Sequence, residues 1–116
     1  MSGLLEKTKQ QFKTNQRQAL GKSYTVPSPD TYPYQWFWDS CFNSITLSYF
    51  DIDRAKQELE LLVSAQFKNG MMPHIIYWSK PPTDFPEIHW GKRRTSSITQ
   101  PPMLAAAVWR ILEADG

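Results

Sequence analysis

The stretch Tyr32-Pro33-Tyr34-Gln35-Trp36-Phe37-Trp38-Asp39-Ser40 holds five aromatic rings and a carboxylate within nine residues. Indole and phenol rings are flat and polarised, so they can lie under the C–H face of a sugar while Asp and Gln exchange hydrogen bonds with its hydroxyls. Pockets of that kind are mostly apolar, with a few directed polar groups. The same rings also fit plain hydrophobic core. Asp39 weighs against a purely structural reading, because a carboxylate inside an aromatic helix start must be paired, used as a cap or bound to something polar. A capping role and a ligand role are compatible at that position.

Two further clusters follow. Gly70-Met71-Met72-Pro73-His74-Ile75-Ile76-Tyr77-Trp78 sets a histidine and two more rings in a loop. His74 reads as a hydrogen-bonded structural histidine, since no carboxylate or cysteine stands at nucleophile or metal spacing from it. Asp84, Glu87 and His89 match no metal-site template, so neither a metal nor another cofactor is expected. Lys92-Arg93-Arg94 suits a carboxylate or phosphate, or a solvated loop. Ser97-Ile98-Thr99-Gln100-Pro101-Pro102 sits at a helix entry, where Thr99 or Gln100 caps that helix or the Gln100 amide faces a ligand. The three segments make one site if the helix ends converge.

The elements that must position them read as helices. Residues 3–20 have good helix propensity but a thin apolar stripe (Leu4, Leu5, Phe12, Ala19, Leu20), ending near Gly21. Pro27, Pro29 and Pro33 make residues 22–34 an ordered loop. A second helix is predicted over Trp36–Phe50. Asp51 and Asp53 offer N-caps to a third, whose Ile52, Ala55, Leu59, Leu62 and Gln66 follow helical spacing up to a C-cap at Asn69-Gly70. Residues 71–96 form a long connection, too apolar for disorder. A fourth helix has Pro101 and Pro102 in its first turn and the apolar run Met103–Leu112. The expected class is all-α.

Bulk properties mostly exclude. Thirteen Lys and Arg against eleven Asp and Glu give a net charge of +2, too little field for a dedicated nucleic-acid binder. Cys41 is the single cysteine, which rules out an internal disulfide and fits a reducing compartment. No apolar run approaches the ~18 residues that span a bilayer, and Met1–Leu20 has no apolar leader. The expected location is cytoplasmic. Sixteen aromatic residues make 14% of 116, and nine fall between Tyr24 and Phe50. Trp36–Phe50 has one formal charge, Asp39, and Met103–Leu112 only Arg110, so both helices ask for burial all round. Four helices cannot surround two of their own number. The chain therefore reads as a fragment of a larger helical protein or as a subunit of a homo-oligomer.

The three motifs, in this order, closely resemble the amino-terminal part of the mannosylglycerate and glucosylglycerate hydrolases of glycoside hydrolase family 63. The similarity runs from about Tyr24 to Leu112. It implies the first helices of an (α/α)6 barrel, residues 1–116 being an incomplete amino-terminal portion of that domain. It also implies an inverting α-glycosidase of small glycosylated solutes, with Tyr32, Trp36, Phe37, Trp38 and Asp39 contacting the sugar and Tyr77 and Gln100 lining the pocket. The family uses an Asp as general acid and a Glu as general base, both expected downstream of this segment, which leaves no catalytic residue in it. The alternative is a non-catalytic helical interaction module whose aromatic segment is core or a protein-binding patch.

Overall fold

The computed structural model describes residues 2–79 and 94–116. Chain order runs α1 (Ser2–Thr14), β1 (Gln16–Ala19), β2 (Lys22–Thr25), β3 (Gln35–Trp36), α2 (Phe37–Leu47), α3 (Ile52–Ser64), β4 (Ile75–Ile76) and α4 (Leu104–Asp115). The chain is mostly helical, as expected, but two antiparallel two-stranded ribbons, β1–β2 and β3–β4, stand beside the helices.

The first ribbon replaces part of the long first helix expected over residues 3–20. Helix α1 stops at Thr14 because buried Asn15 turns its backbone and side chain onto the incoming strand. The Val26 N–H donates to Asn15 O at 2.9 Å, and Asn15 Nδ2 reaches Pro27 O at 3.3 Å. Strand β1 then pairs with β2, with Gln16 opposite Thr25 and Ala19 opposite Lys22. Gln16 and Gln18 both donate to Ser23 Oγ, at 2.8 and 2.7 Å. Cross-strand pairing thus outcompetes helix propensity, and β2 takes four residues of the expected loop.

The hairpin closes through Leu20-Gly21, with φ of 49° and 73°. A two-residue hairpin loop of type I′ needs positive φ at both positions, which glycine adopts freely and leucine does not. Leu20 is 70% exposed, so little burial offsets the strain. Leu20→Asn is therefore expected to stabilise the chain by about 1 kcal/mol and Leu20→Val to destabilise it, as read from the thermal unfolding midpoint.

Helix α3 forms where expected. The Asp51 carboxylate accepts from the Arg54 N–H at 3.1 Å as N-cap, and Ala55, Glu58, Leu59 and Leu62 turn inward at i, i+3, i+4, i+7 spacing. It ends at Ser64, short of Asn69-Gly70. There Ser64 Oγ donates to Leu61 O at 2.6 Å, and the Ala65 and Gln66 N–H groups bond three residues back, which tightens and closes the last turn. Gly70 serves a separate turn at φ 92°, its N–H on Phe67 O at 2.8 Å.

Helix α2 begins at Phe37, since Trp36 belongs to β3, and it ends at Leu47 before a turn to Phe50. It packs against both α3 and α4. The main core joins Phe37, Cys41 and Leu47 of α2, Ala55, Leu59 and Leu62 of α3, and Ala107 and Ile111 of α4. Each fully buried leucine contributes about 1.5–3 kcal/mol. Ser44 Oγ donates to Ala55 O at 2.8 Å, so a small buried polar residue joins α2 to α3. Pro101 and Pro102 precede α4 rather than occupying its first turn. Its inner face is Ala107 and Ile111, while Val108, Trp109 and Leu112 are bare, Trp109 at 65% exposure. The helix runs on past Leu112 to Asp115, which pairs with Lys56 at 2.8 Å. Among the described residues, no helix is long and apolar enough to cross a membrane.

Candidate functional site

The β3–β4 ribbon sorts the aromatic motif onto two faces. Gln35 pairs with Ile76 and Trp36 with Ile75, and side chains alternate along a strand. Tyr34, Trp36, Ile75 and Tyr77 therefore cluster together, while Ile76 joins the main core. The aromatic side is extended by edge-on ring contacts: Tyr32 on Trp36 at 5.7 Å, Trp36 on His74 at 5.1 Å and Tyr34 on Tyr77 at 5.1 Å. Such geometry sets the negative ring face of one partner against the positive edge of the other.

The segment leading into the third motif runs along β4. The Tyr77 N–H donates to Arg94 O at 2.8 Å, Ser96 N–H to Ile75 O at 3.1 Å and His74 N–H to Ile98 O at 2.8 Å. Ser96 Oγ also sits 2.6 Å from His74 Nδ1, and burial holds the His74 pKa below the usual histidine value. His74 is thus buried and hydrogen-bonded, as a structural histidine should be. From Ile98 the chain reaches Gln100, whose Oε1 accepts the Trp38 N–H at 3.0 Å.

That bond corrects one expectation. Gln100 caps α2, 62 positions away in sequence, and not the helix that follows it. The reason is local: Trp36 occupies the N-cap position of α2 without any side-chain cap, leaving early N–H groups to be satisfied from elsewhere. Gln100→Ala is expected to cost about 1 kcal/mol in thermal or urea unfolding, the usual worth of a lost cap.

Asp39 lies in the first turn of α2, half-buried. Burial raises its carboxyl pKa, opposed in smaller measure by its own backbone N–H. Among the described residues it has no ion pair. It is therefore a carboxylate at a positive helix end with accepting capacity to spare.

The other predicted residues take different positions. Tyr32 and Trp38 are exposed, Tyr32 by 49%, with Trp38 tilted onto Phe42. Trp36 is half-buried, and its Nε1 is buried without a hydrogen-bond partner among the described residues. Phe37 is 3% exposed and packed into the main core. Tyr77 is buried, its hydroxyl pushed up to about 12 by burial and then by Tyr34. Tyr32, Trp36, Trp38, Asp39 and Gln100 thus gather at the start of α2, and Tyr77 stands behind them in the ribbon. Cys41 is buried and free, its thiol pushed up to about 12 by burial, Glu58 and Asp39.

Gln35 does not offer its amide to a ligand. It is fully buried, donating to Ser40 Oγ and Glu58 O at 3.1 Å each and accepting from Trp78 Nε1 at 2.8 Å. Glu58 is the residue that sequence reasoning passed over. Its carboxylate accepts from Thr25 N–H at 3.0 Å, Thr25 Oγ1 at 2.8 Å and Ser40 Oγ at 2.6 Å. The signal was its place three residues after Ala55, on the apolar stripe of α3.

Beyond Phe37 an open groove of about 650 Å³ runs between the segment after α3 and α4, lined by Met71, Met72, Leu104, Val108 and Trp109 among others. It is apolar and suits packing better than sugar hydroxyls. Asp84, Glu87, His89, Lys92 and Arg93 lie outside the described residues, and Arg94 is exposed. Among the described residues no cluster of His, Cys, Asp or Glu could hold a metal ion.

An aromatic ribbon thus stands beside a carboxylate-bearing helix start. The mannosylglycerate hydrolase MGH1-like glycoside hydrolase domain matches residues 32–116, and the chain belongs to that family. Mannosylglycerate hydrolase MGH1 of Selaginella moellendorffii is 47% identical over 96 residues, covering 78% of this chain and 20% of that protein. A glucosylglycerate hydrolase of Mycolicibacterium hassiacum is 42% identical over 100 residues, covering 77% of this chain and 22% of its own length. The crystal structure of a GH63 mannosylglycerate hydrolase from Thermus thermophilus, in complex with Tris and D-glycerate, superposes with a TM-score of 0.79 at 38% identity. It covers 95% of this chain and 25% of the Thermus chain. The chain thus spans a quarter or less of these relatives.

Proposed function

We propose that this chain is the sugar-binding front part of an inverting α-glycosidase acting on small glycosylated solutes of the mannosylglycerate or glucosylglycerate type. The observation that carries the reading is the Gln100–Trp38 bond, which ties the third motif to the helix start bearing Asp39. In this reading Asp39 accepts hydrogen bonds from sugar hydroxyls, and Tyr32 and Trp38 offer exposed ring surface to its C–H face. Trp36 and Tyr77 form the pocket wall, and Phe37 holds that wall to the core. Hydrolysis with inversion needs an acid and a base flanking the scissile bond. Asp39 is a binder here, Glu58 is consumed by internal hydrogen bonds, and the catalytic Asp and Glu belong to a longer parent protein.

The helices are then the first of an (α/α)6 barrel. The bare face of α4 and the apolar groove beside it support this, since later helices of the same chain would cover them. A cytoplasmic enzyme fits the lone free cysteine. Titrating the parent protein with mannosylglycerate and with glucosylglycerate while following tryptophan fluorescence tests the reading. It should give a saturable change with at least one of them; no response to either would defeat it.

A further inference from the structure

We infer that Glu58 is a positioning residue for the sugar-contact segment: its buried carboxylate ends a hydrogen-bond chain that fixes the helix start and the ribbon carrying Trp36, Asp39 and Tyr77. The inference rests on the functional reading above for the purpose it assigns, but the chain of bonds stands on geometry alone.

Every bond in that chain points the same way. Trp78 Nε1–H donates to Gln35 Oε1 at 2.8 Å, Gln35 Nε2–H donates to Ser40 Oγ at 3.1 Å, and Ser40 Oγ–H donates to Glu58 Oε1 at 2.6 Å. The second Gln35 amide hydrogen goes to Glu58 O at 3.1 Å. On the other carboxylate oxygen, Thr25 Oγ1–H donates at 2.8 Å and itself accepts from Arg54 Nη2 at 2.9 Å. Each hydroxyl thus gives its single proton toward Glu58, and the Gln35 amide has one orientation that satisfies both its ends.

The chain neighbours of these residues are the candidate site residues. Gln35 precedes Trp36, Ser40 follows Asp39, and Trp78 follows Tyr77. One acidic side chain on α3 therefore sets the register of three segments that meet at the site. Gln35, Ser40 and Glu58 are each 0% exposed, so water does not substitute for a lost partner. An apolar residue at position 58 would fill the same space and leave Ser40 and Thr25 short of an acceptor. A carboxylate here is costly to bury and gives directional control in return.

Three variants of the parent protein separate positioning from plain stability. Ser40→Ala cuts the chain on the side of the site, Thr25→Val cuts it on the far side, and Glu58→Gln keeps the shape while removing the charge. The readouts are thermal midpoint, kcat/KM for mannosylglycerate and glucosylglycerate, and hydrogen–deuterium exchange of peptides spanning residues 34–41 and 74–78. Ser40→Ala and Glu58→Gln are expected to lower kcat/KM about tenfold, the worth of one charge-assisted hydrogen bond, and to speed exchange in both peptides. Thr25→Val is expected to change kcat/KM less than about twofold even where its midpoint falls as far as that of Ser40→Ala. Equal losses in Ser40→Ala and Thr25→Val would overturn the inference, as would unchanged kinetics and exchange in Ser40→Ala and Glu58→Gln. If the wild-type parent hydrolyses neither glycerate, the functional reading fails, and exchange alone decides the positioning role. Faster exchange in Ser40→Ala than in Thr25→Val then supports it; equal exchange overturns it.

Discussion

Replacing Asp39 by alanine in the parent protein is expected to lower kcat/KM for the proposed glycosylglycerate substrate by about a hundredfold or more while hardly moving the thermal midpoint. Hydrogen bonds to an ionised acceptor are worth about 1.5–3 kcal/mol each, and two sugar hydroxyls on one carboxylate reach a hundredfold. Stability is nearly indifferent because Asp39 has no ion pair among the described residues to lose. Its favourable place at the start of α2 gives about 0.3–1 kcal/mol, set against the burial that raises its pKa. Asp39→Asn should fall between, keeping an acceptor and losing the charge. Because that pKa is raised, substrate affinity should fade on acidification at a higher pH than for an ordinary carboxylate. Steady-state kinetics with wild-type and both variants check this, and unchanged kcat/KM in Asp39→Ala would remove Asp39 from the site.

The second large effect is on the pH dependence of stability. Burial lifts the Glu58 carboxyl from 4.5 to about 7, against the pull of Ser40, Thr25 and Arg54. The folded state therefore holds that proton more tightly than the unfolded chain between pH 4.5 and about 7. Within this window stability falls as pH rises, by on the order of 3 kcal/mol in total. Of the other groups whose charge is felt beside it, Tyr24 and Cys41 titrate well above this range, both pushed up by burial. His74 works in the opposite sense, because its lowered pKa makes stability rise with pH up to about 6.5. Comparing wild-type with Glu58→Gln isolates the carboxyl. At about pH 8 the variant should be the more stable, and at about pH 5 the advantage should shrink or vanish. An advantage equal at both values would show that Glu58 does not titrate there. The ionised carboxylate is thus a net burden on stability, which fits a residue retained for alignment.

What could be read in the sequence, and what could not, divides along physical lines. Helix α3 was legible because its information is local: an Asp cap, an apolar period and propensity agree. The aromatic, histidine and glutamine motifs were legible as chemistry, and their order identified the family. The β1–β2 hairpin was not, since Gln16 and Gln18 look helical until Ser23 and the α3 surface supply partners. The bond from Gln100 to α2 was not legible for the same reason, as its acceptor oxygen serves an N–H that only the tertiary fold brings near. Glu58 and Gln35 look like surface residues by type. Only the burial of their partners reveals them as a network.

The most direct test is a crystal structure of the parent protein with bound glycosylglycerate, using a variant that lacks the catalytic base. The account predicts sugar hydroxyls within about 3 Å of the Asp39 carboxylate and the ring of Tyr32 or Trp38 against a sugar face. A sugar bound elsewhere, with Asp39 facing only water, would contradict it.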